Sequence, residues 1–377
     1  MIYLLVFMIL FVFVLNFDTS TNGTKRCNEA NSAMLFALIM LSLLAGLRYR
    51  VGTDTLAYMD EYEKYPLSYF KERYLFGWYA LMAFCKSLHL SFYCVQIFLA
   101  FLTNYAVIKF LRRYSLHFFS SLLIYYVIVF PALNFEIIRQ GVCVAIFLLS
   151  FHYLEERKLV KYYIWTGIAC LFHYSALLLL LIPLLMWIPV NKKTLTGFLV
   201  LVALVIAFAS LMKTQIYELS KGLSFLEDRA FYYFSEVDVE ESFSPISYIF
   251  NLLLNVVIPL LVIRFHWYSN KIPPQYVIIC MFSMIIYVLS MYMPIIYRFN
   301  NFFQLFNLVL FVDLFTWVRC QIILKPFLAF FVCLMLFVGV KARGYFASDE
   351  GRPIYYHYYP YSSVFNEFKV PIREQWD

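Results

Sequence analysis

The chain has 377 residues, of which 63% are hydrophobic and only 14% charged, with a formal net charge of +7. A soluble domain carries about 25% charged residues, so a water-facing surface for this length cannot be assembled and a soluble globule is excluded. The basic excess does not make a nucleic-acid binder either, because no RNA- or DNA-binding motif is present and basic residues in a membrane protein first report orientation.

Apolar runs near the crossing length of about 20 residues recur from the first residue to Val340. Ten crossing helices are predicted: Ile2 to Phe17, Ser32 to Leu47, Phe92 to Leu111, Phe118 to Leu133, Glu136 to Leu154, Thr194 to Met212, Ile246 to Ile263, Gln275 to Met293, Asn300 to Val318 and Lys325 to Val340. The first run lacks the basic n-region and small-residue cleavage site of a secretion signal, and it reads as a retained helix with its N-terminus outside. That choice puts Lys25/Arg26, Arg112/Arg113, Arg157/Lys158/Lys161, Lys192/Lys193, Arg264/Lys271 and Arg319 on the cytoplasmic side, as the positive-inside rule requires of short loops.

Two further apolar segments, 75–90 and 162–187, must then return to the side they left, as interfacial or re-entrant hairpins. The second is interrupted around His173, and non-helical backbone at membrane depth needs protein or a water-filled cavity around it. The expectation is one transmembrane domain over 1–340, with outer loops at 48–74 and 213–245 and an outer tyrosine-rich tail at 341–377. The 213–245 loop carries seven acidic residues against three basic ones, which suits the non-cytoplasmic side. No sequence repeat relates the two halves.

Chemistry-bearing residues are few, and they fall at the outer ends of these elements. R-Y-R-V-G-T-D-T-L-A-Y follows the second helix. From Asp54 a four-residue step puts Asp54 and Tyr58 on one helical face, Gly52 permits close backbone approach, and the fork of Arg50 matches phosphate. A solvated salt bridge in an interfacial turn is the plainer account of the same residues. F-E-I-I-R-Q-G opens a middle helix, with Glu136, Arg139 and Gln140 on one face of its first turns. The helix's positive end adds to Arg139 to make an anion site, unless Arg139 is spent on a local ion pair with Glu136.

C-L-F-H-Y-S-A-L-L sets His173 and Ser175 at the interruption of the 162–187 segment. His173 is either satisfied by a backbone carbonyl or a site residue that titrates near neutrality, and no G-x-S-x-G elbow supports a hydrolase. Arg298, in I-I-Y-R-F-N-N, is a third boundary arginine. Arg50, Arg139 and Arg298 are expected to converge on one polyanion, against a reading in which each snorkels to lipid headgroups. In the tail, R-P-I-Y-Y-H-Y-Y-P-Y places five tyrosines, among them Tyr359, within seven positions. They suit a membrane-interface belt or the apolar face of a sugar.

Eight cysteines (27, 85, 94, 143, 170, 280, 320 and 333) form no C-x-x-C pair, and the histidines show no ligand spacing. Neither a disulfide framework nor a metal is expected, and no cofactor. N-G-T at Asn22 matches a glycosylation acceptor, but its loop is placed inside.

The order R-x-G-x-D-x-x-x-Y (Arg50, Gly52, Asp54, Tyr58), R-Q at Arg139 and Gln140, F-H-x-S-A at His173 and Ser175, a late Arg298 near aromatic and Asn residues, and a terminal Y-Y-P-Y resembles the EpsG/Wzy family of bacterial polysaccharide polymerases. The resemblance spans Arg50 to Tyr361. It implies a GT-C-like glycosyltransferase of the inner membrane. Such an enzyme moves a growing glycan from undecaprenyl pyrophosphate to the non-reducing end of a new undecaprenyl-pyrophosphate-linked unit, on the periplasmic face. The lipid-linked oligosaccharide and membrane lipids become its partners, with a chain-length regulator as a further candidate. It also makes Arg50, Arg139 and Arg298 pyrophosphate-binding candidates, Asp54 and His173 catalytic candidates, and Tyr58, Gln140, Ser175 and Tyr359 supporting ones.

Two other functions remain open on sequence. An O-antigen ligase would share the donor and the arginines. A flippase or transporter would place ionisable residues at the midplane of several helices, whereas here Asp313 is the clearest interior charge. A membrane acyltransferase would need an acid beside its histidine, which the F-H-Y-S-A segment lacks.

Overall fold

Long runs of Leu, Ile, Phe and Val wind into helices in the described part of each segment predicted to cross. The computed structural model describes residues 2–19, 27–71, 76–221, 249, 252–267, 273–291, 294–321, 325–335, 348–349, 352–371 and 373. In chain order the helices are α1 (Ile2–Phe13, continued by a π turn Val14–Asp18), α2 (Cys27–Gly46), α3 (Thr53–Lys64), α4 (Leu67–Lys71), α5 (Phe76–Ser87), α6 (Phe92–Tyr114) and α7 (Phe118–Ile128). A π turn at Ala132–Glu136 leads into α8 (Ile138–Glu155) and α9 (Leu159–Cys170), followed by a 3-10 helix (Tyr174–Leu181), α10 (Ile182–Leu185) and α11 (Lys192–Lys221). Then come α12 (Ile258–Trp267), α13 (Pro274–Ser290), α14 (Pro294–Asn300), α15 (Gln304–Gln321) and α16 (Pro326–Met335). In the tail, Ser348–Asp349 pairs antiparallel with Arg352–Pro353.

Each of the ten segments predicted to cross contains a helix. Two described helices, Asn28–Gly46 and Phe92–Tyr114, are long and apolar enough for a complete crossing, and eight shorter apolar helices of 10–17 residues accompany them. Most of the 213–245 loop and the Asn22 acceptor lie outside the described residues.

The chain divides into two compact units, one made of Met1–Leu180 with Val312–Asp377 and the other of Leu181–Phe311. In the second unit α13 packs with α11, α12 and α14. Tyr276 donates to the Phe306 carbonyl at 2.9 Å.

In the first unit α2 lies along α6, α6 on α8, α8 on α9, and α1 on α7. Its core is apolar with a few polar side chains inside it, and its exposed helix faces are apolar as well. Leu35, Phe36, Ile39 and Leu43 of α2 and Phe98 and Phe101 of α6 are exposed, while Gln96, Thr103, Asn104, Ser120, Ser121 and Asn134 are buried. Apolar exposed faces with the polar side chains kept inside suit lipid, because hydrocarbon cannot hydrogen-bond an exposed polar group. Three of the buried polar side chains satisfy one another. Asn104 Nδ2 donates to Asn134 Oδ1, Asn134 Nδ2 to Tyr125 Oη, and Tyr125 Oη to Asn104 Oδ1, each at 3.0 Å. The remaining amide hydrogens reach the Ala100 and Phe130 carbonyls. This closed triangle pins the π turn to α6 and α7, and so fixes where α8 begins.

One end of the first unit gathers the start of α1, the end of α2, the start of α8 and the tail. Tyr3 Oη donates to the Tyr358 carbonyl and Tyr361 Oη to the Leu44 carbonyl, both at 2.9 Å. At the other end Arg113 pairs with Glu155 at 2.7 Å, and the Asp18 carboxylate accepts the Ser120 N–H and hydroxyl at 2.7 and 2.8 Å.

Specific bonds tie the two segments expected to return to the rest of the first unit. At the start of α5, the Gly77 N–H donates to the Leu171 carbonyl at 3.0 Å. Near its end, Lys86 donates to the Tyr62 and Tyr65 carbonyls. Both ends of α5 are therefore fastened within the first unit, one to the turn after α9 and the other to the end of α3. The 162–187 segment folds back on itself at Leu171–His173, and Tyr162 Oη, near the base of α9, donates to the Leu179 carbonyl of the returning 3-10 arm at 2.8 Å.

Candidate functional site

The loop leaving α2 is built around a buried cation. Arg48 is 1% exposed. Its Nε donates to the Val51 carbonyl at 3.2 Å, Nη1 to the Ala45 carbonyl and Nη2 to Thr55 Oγ1 at 2.8 Å, and the guanidinium lies 5.3 Å from the Phe135 ring centroid. Burial lowers its pKa to about 10, so it stays charged near neutrality. Thr55 in turn donates to the Phe135 carbonyl at 2.5 Å. Gly52 has φ +89°, and a Cβ there would stand 2.3 Å from the Phe135 oxygen, so only glycine fits both the backbone conformation and the contact. These bonds seat the first turn of α3 on the π turn ahead of α8. One turn later Tyr58 meets Arg139.

Arg139 is the pivot of the site. Its Nε donates to Tyr58 Oη at 2.8 Å, and its guanidinium carbon lies 4.9 Å from the Tyr58 centroid and 5.9 Å from that of Trp78. The two rings are 5.0 Å apart, tilted by 57°, and Trp78 is fully buried. Among the described residues no carboxylate pairs with Arg139 and no acceptor meets its two terminal nitrogens. The local pair with Glu136 does not form, because Glu136 Oε1 instead lies 3.6 Å from His357 Nδ1. Burial, with Asp54 adding to it and Arg139 opposing it, pushes the Tyr58 hydroxyl up to about 12. Tyr58 thus keeps its hydrogen while accepting from Arg139, and can donate outward beside the open fork.

Arg50 is placed differently. It adopts a left-handed backbone (φ 49°), is buried, and binds Asp60 with both terminal nitrogens, Nη1 to Oδ1 at 2.5 Å and Nη2 to Oδ2 at 3.3 Å. The carbonyl of Arg50 accepts from Arg373 Nη1 at 2.7 Å. Arg373, fully buried, also donates to the Tyr356 carbonyl at 3.1 Å and the Pro360 carbonyl at 2.9 Å. Backbone bonds from Tyr49 to Ser362, Gly52 to His357 and Val364 to Leu47 complete a clamp of tail on loop. Tyr361 is drawn into it, whereas the Tyr359 ring stays 53% exposed.

The histidine turn is anchored to α8. Gln140 Nε2 donates to Ser175 Oγ at 3.1 Å, and Ser175 Oγ lies 2.7 Å from His173 Nδ1. Asp54 is exposed in the first turn of α3, close enough to Tyr58 to raise its pKa. The structure thus brings Asp54, Tyr58, Arg139, Gln140, His173 and Ser175 into one region of the first unit, with Arg50 and Tyr359 on the adjoining clamp. Arg298 belongs to the second unit, in α14.

A family model describing the EpsG family matches residues 32–363. The chain belongs to the EpsG family. No curated protein and no solved structure matches it. Membership in the EpsG family carries with it a membrane protein of polysaccharide biosynthesis, in general terms a polymerase, and the matched span covers every candidate residue named above.

Several residues of this EpsG-family site went unrecognised in the sequence. Trp78 walls the Arg139 cage but looks like any aromatic in an apolar run. Glu61 accepts from the Tyr69 and Tyr79 hydroxyls at 3.1 and 3.2 Å. It stands seven residues after Asp54, and extending the helical spacing that joined Asp54 to Tyr58 would have found it. Arg48 and Arg373 hold the loop and tail by donating to carbonyls, which leave no sequence signature. Among the described residues no group of three or more His, Cys, Asp or Glu side chains is placed to hold a metal.

Proposed function

We propose that this EpsG-family protein is a lipid-linked repeat-unit polymerase of the bacterial inner membrane, GT-C-like in architecture. It transfers a growing glycan from undecaprenyl pyrophosphate to the non-reducing end of a new undecaprenyl-pyrophosphate-linked unit at the periplasmic face. The observation that carries this reading is the fork of Arg139, unpaired among the described residues and held in a half-buried aromatic cage at the start of α8.

In the transfer, an acceptor hydroxyl oxygen forms a bond to the donor's anomeric carbon as the bond from that carbon to the pyrophosphate oxygen breaks. The electron pair leaves on the pyrophosphate and the proton leaves the acceptor. Preorganised donors aimed at the departing charge lower the barrier most where water is excluded. Arg139 offers two terminal nitrogens fixed by its Nε bond to Tyr58, the helix end adds its dipole, and the Tyr58 hydroxyl supplies another hydrogen. Asp54, exposed on the same helix as Tyr58, is the proton acceptor in this reading.

Sidedness follows from charge. Arg112, Arg113, Arg157, Lys158 and Lys161 lie at the end of the first unit remote from Arg139. The positive-inside rule assigns that end to the cytoplasm, which supports a periplasmic site.

The test is deletion of the gene followed by electrophoresis of the surface glycan. Loss of the polymerase leaves lipid cores bearing one repeat unit in place of a ladder, and a plasmid-borne Arg139→Ala variant, still inserted in the membrane, fails to restore it. A normal ladder in the deletion strain overturns the reading. Bare lipid cores point to a ligase or flippase.

A further inference from the structure

Glu61 is joined to the Arg139 cage through α3. It stands three residues after Tyr58, so the two share a face of the helix, and that face meets α5 at both positions. The Tyr58 ring lies 5.0 Å from that of Trp78, and the next residue of α5, Tyr79, donates from its hydroxyl to Glu61 Oε1 at 3.2 Å. Three residues of α-helix rise about 4.5 Å. The carboxylate therefore sits roughly the breadth of a sugar ring along α3 from the residue that orients the Arg139 fork.

Tyr69 of α4 donates to the same oxygen at 3.1 Å. Two phenols on Oε1 hold the carboxylate in place, while Oε2 meets no donor and no cation pairs with Glu61 among the described residues. Each carboxylate oxygen can accept more than one hydrogen bond, so Oε2 has capacity to spare. The rings of Tyr69 and Tyr79 stand at 82° with centroids 6.5 Å apart, and Tyr69 stacks on Tyr65 at 4.0 Å. Glu61, Tyr65, Tyr69 and Tyr79 are all part-exposed, which puts this corner within reach of a ligand.

A ligand for the corner needs hydroxyl donors for Oε2 and C–H surface for the rings. A pyranose has both, with hydroxyls around its edge and C–H groups on its faces. A phosphate meets only repulsion from the carboxylate, and is left to Arg139.

We propose that Glu61, held by Tyr69 and Tyr79 just under one turn along α3 from the Arg139–Tyr58 pair, is the subsite for the sugar joined to the pyrophosphate, whose hydroxyls donate to Oε2. The proposal rests on the Arg139 anion site. With the phosphate there, the sugar bonded to it spans the separation between Tyr58 and Glu61. Like charge sets the class of sugar, since a neutral or amino sugar fits beside the carboxylate and a uronic acid is rejected. Glu61 binds and transfers no proton.

Two ligands separate the sugar from the anion. Purified full-length wild-type, Glu61→Gln and Arg139→Ala proteins in detergent are titrated with undecaprenyl pyrophosphate and with the undecaprenyl-pyrophosphate-linked repeat unit extracted from host membranes. Affinity is read from the rise in thermal unfolding temperature. Glutamine keeps an oxygen for the two tyrosine hydroxyls and replaces Oε2 by a donor. The wild type is expected to bind the sugar-bearing carrier at least about tenfold more tightly than the sugar-free one, as a hydrogen bond to a charged group implies. Glu61→Gln should lose that difference while binding the sugar-free carrier within about twofold of wild type, and Arg139→Ala should weaken both. Equal weakening of both ligands by Glu61→Gln makes Glu61 a structural tie and overturns the proposal, as does wild-type affinity for both. A wild-type protein that binds neither carrier overturns the anion-site reading instead. Where Glu61→Gln unfolds, without ligand, more than a few degrees below wild type, Tyr79→Phe takes its place. It keeps the ring and the carboxylate and removes one hydroxyl from Oε1, and the preference for the sugar-bearing carrier should fall at least about threefold. An unchanged preference there also overturns the proposal.

Discussion

Two arginine-rich regions share one end of the first unit, and they use the same side chain in opposite ways. In the clamp, Arg48 and Arg373 each donate three hydrogen bonds to groups of α2, the loop, α3 or the tail, and Arg50 is matched to Asp60. In the cage, Arg139 spends one nitrogen on Tyr58 and, among the described residues, nothing on a counter-charge. A guanidinium whose donors are filled holds chain segments together. One whose fork is oriented but unfilled, with aromatic rings lowering the local dielectric, is set to take an anion. Charge count does not distinguish the two regions, but the donor valence left over does.

The largest effect that would break this contrast is expected at Arg139. Arg139→Ala should lower polymer synthesis at least about 100-fold while moving the unfolding temperature little, and Arg139→Lys should recover only a small part because the planar fork is lost. The pair of readouts is repeat-unit incorporation by isolated membranes and thermal unfolding in detergent. An Arg139→Ala protein that keeps full activity would remove the cage from the chemistry.

Arg373→Met should give the inverse pattern. Three carbonyls lose their shared donor, at a cost of roughly 3 kcal/mol, so the protein unfolds at lower temperature while the surviving folded fraction keeps its KM. Tyr58→Phe should follow, with turnover reduced about tenfold, the equivalent of one hydrogen bond to a charged group. A drop in unfolding temperature with unchanged turnover would move Tyr58 into the clamp.

The smallest effect is expected at Asp60→Asn. Its carboxylate is 47% exposed, and exposed partners contribute about 1 kcal/mol or less, so stability should shift little and activity less than about threefold. Complete inactivation would return Arg50 to the chemistry and blur the contrast from the other side.

Much of this site was legible because short helical spacings are local. Asp54 and Tyr58 share a face of α3 as their four-residue step requires, and the break at His173 announced itself as a polar interruption in a run of leucines. The carbonyls and rings that complete the arrangement were not legible. Phe135 receives Gly52, Thr55 and Arg48 from 80 or more residues earlier in the chain, and no motif marks a carbonyl as an acceptor. Glu136 and Arg139, three residues apart in an order that favours a local pair, go to different partners because the π turn carries Glu136 toward His357.

The sequence by itself determined the membrane character, the helical segments and the short list of polar residues worth following, since each depends on composition or on a period of a few residues. The tertiary structure decided which of those residues are spent and which are open. Asp60 filled the fork of Arg50, Tyr58 and Trp78 oriented that of Arg139 without filling it among the described residues, and Ser175 joined His173 to Gln140. These outcomes depend on distances between segments far apart in the chain, and in a half-buried site such distances set both the strength of a hydrogen bond and the cost of leaving a donor unmet.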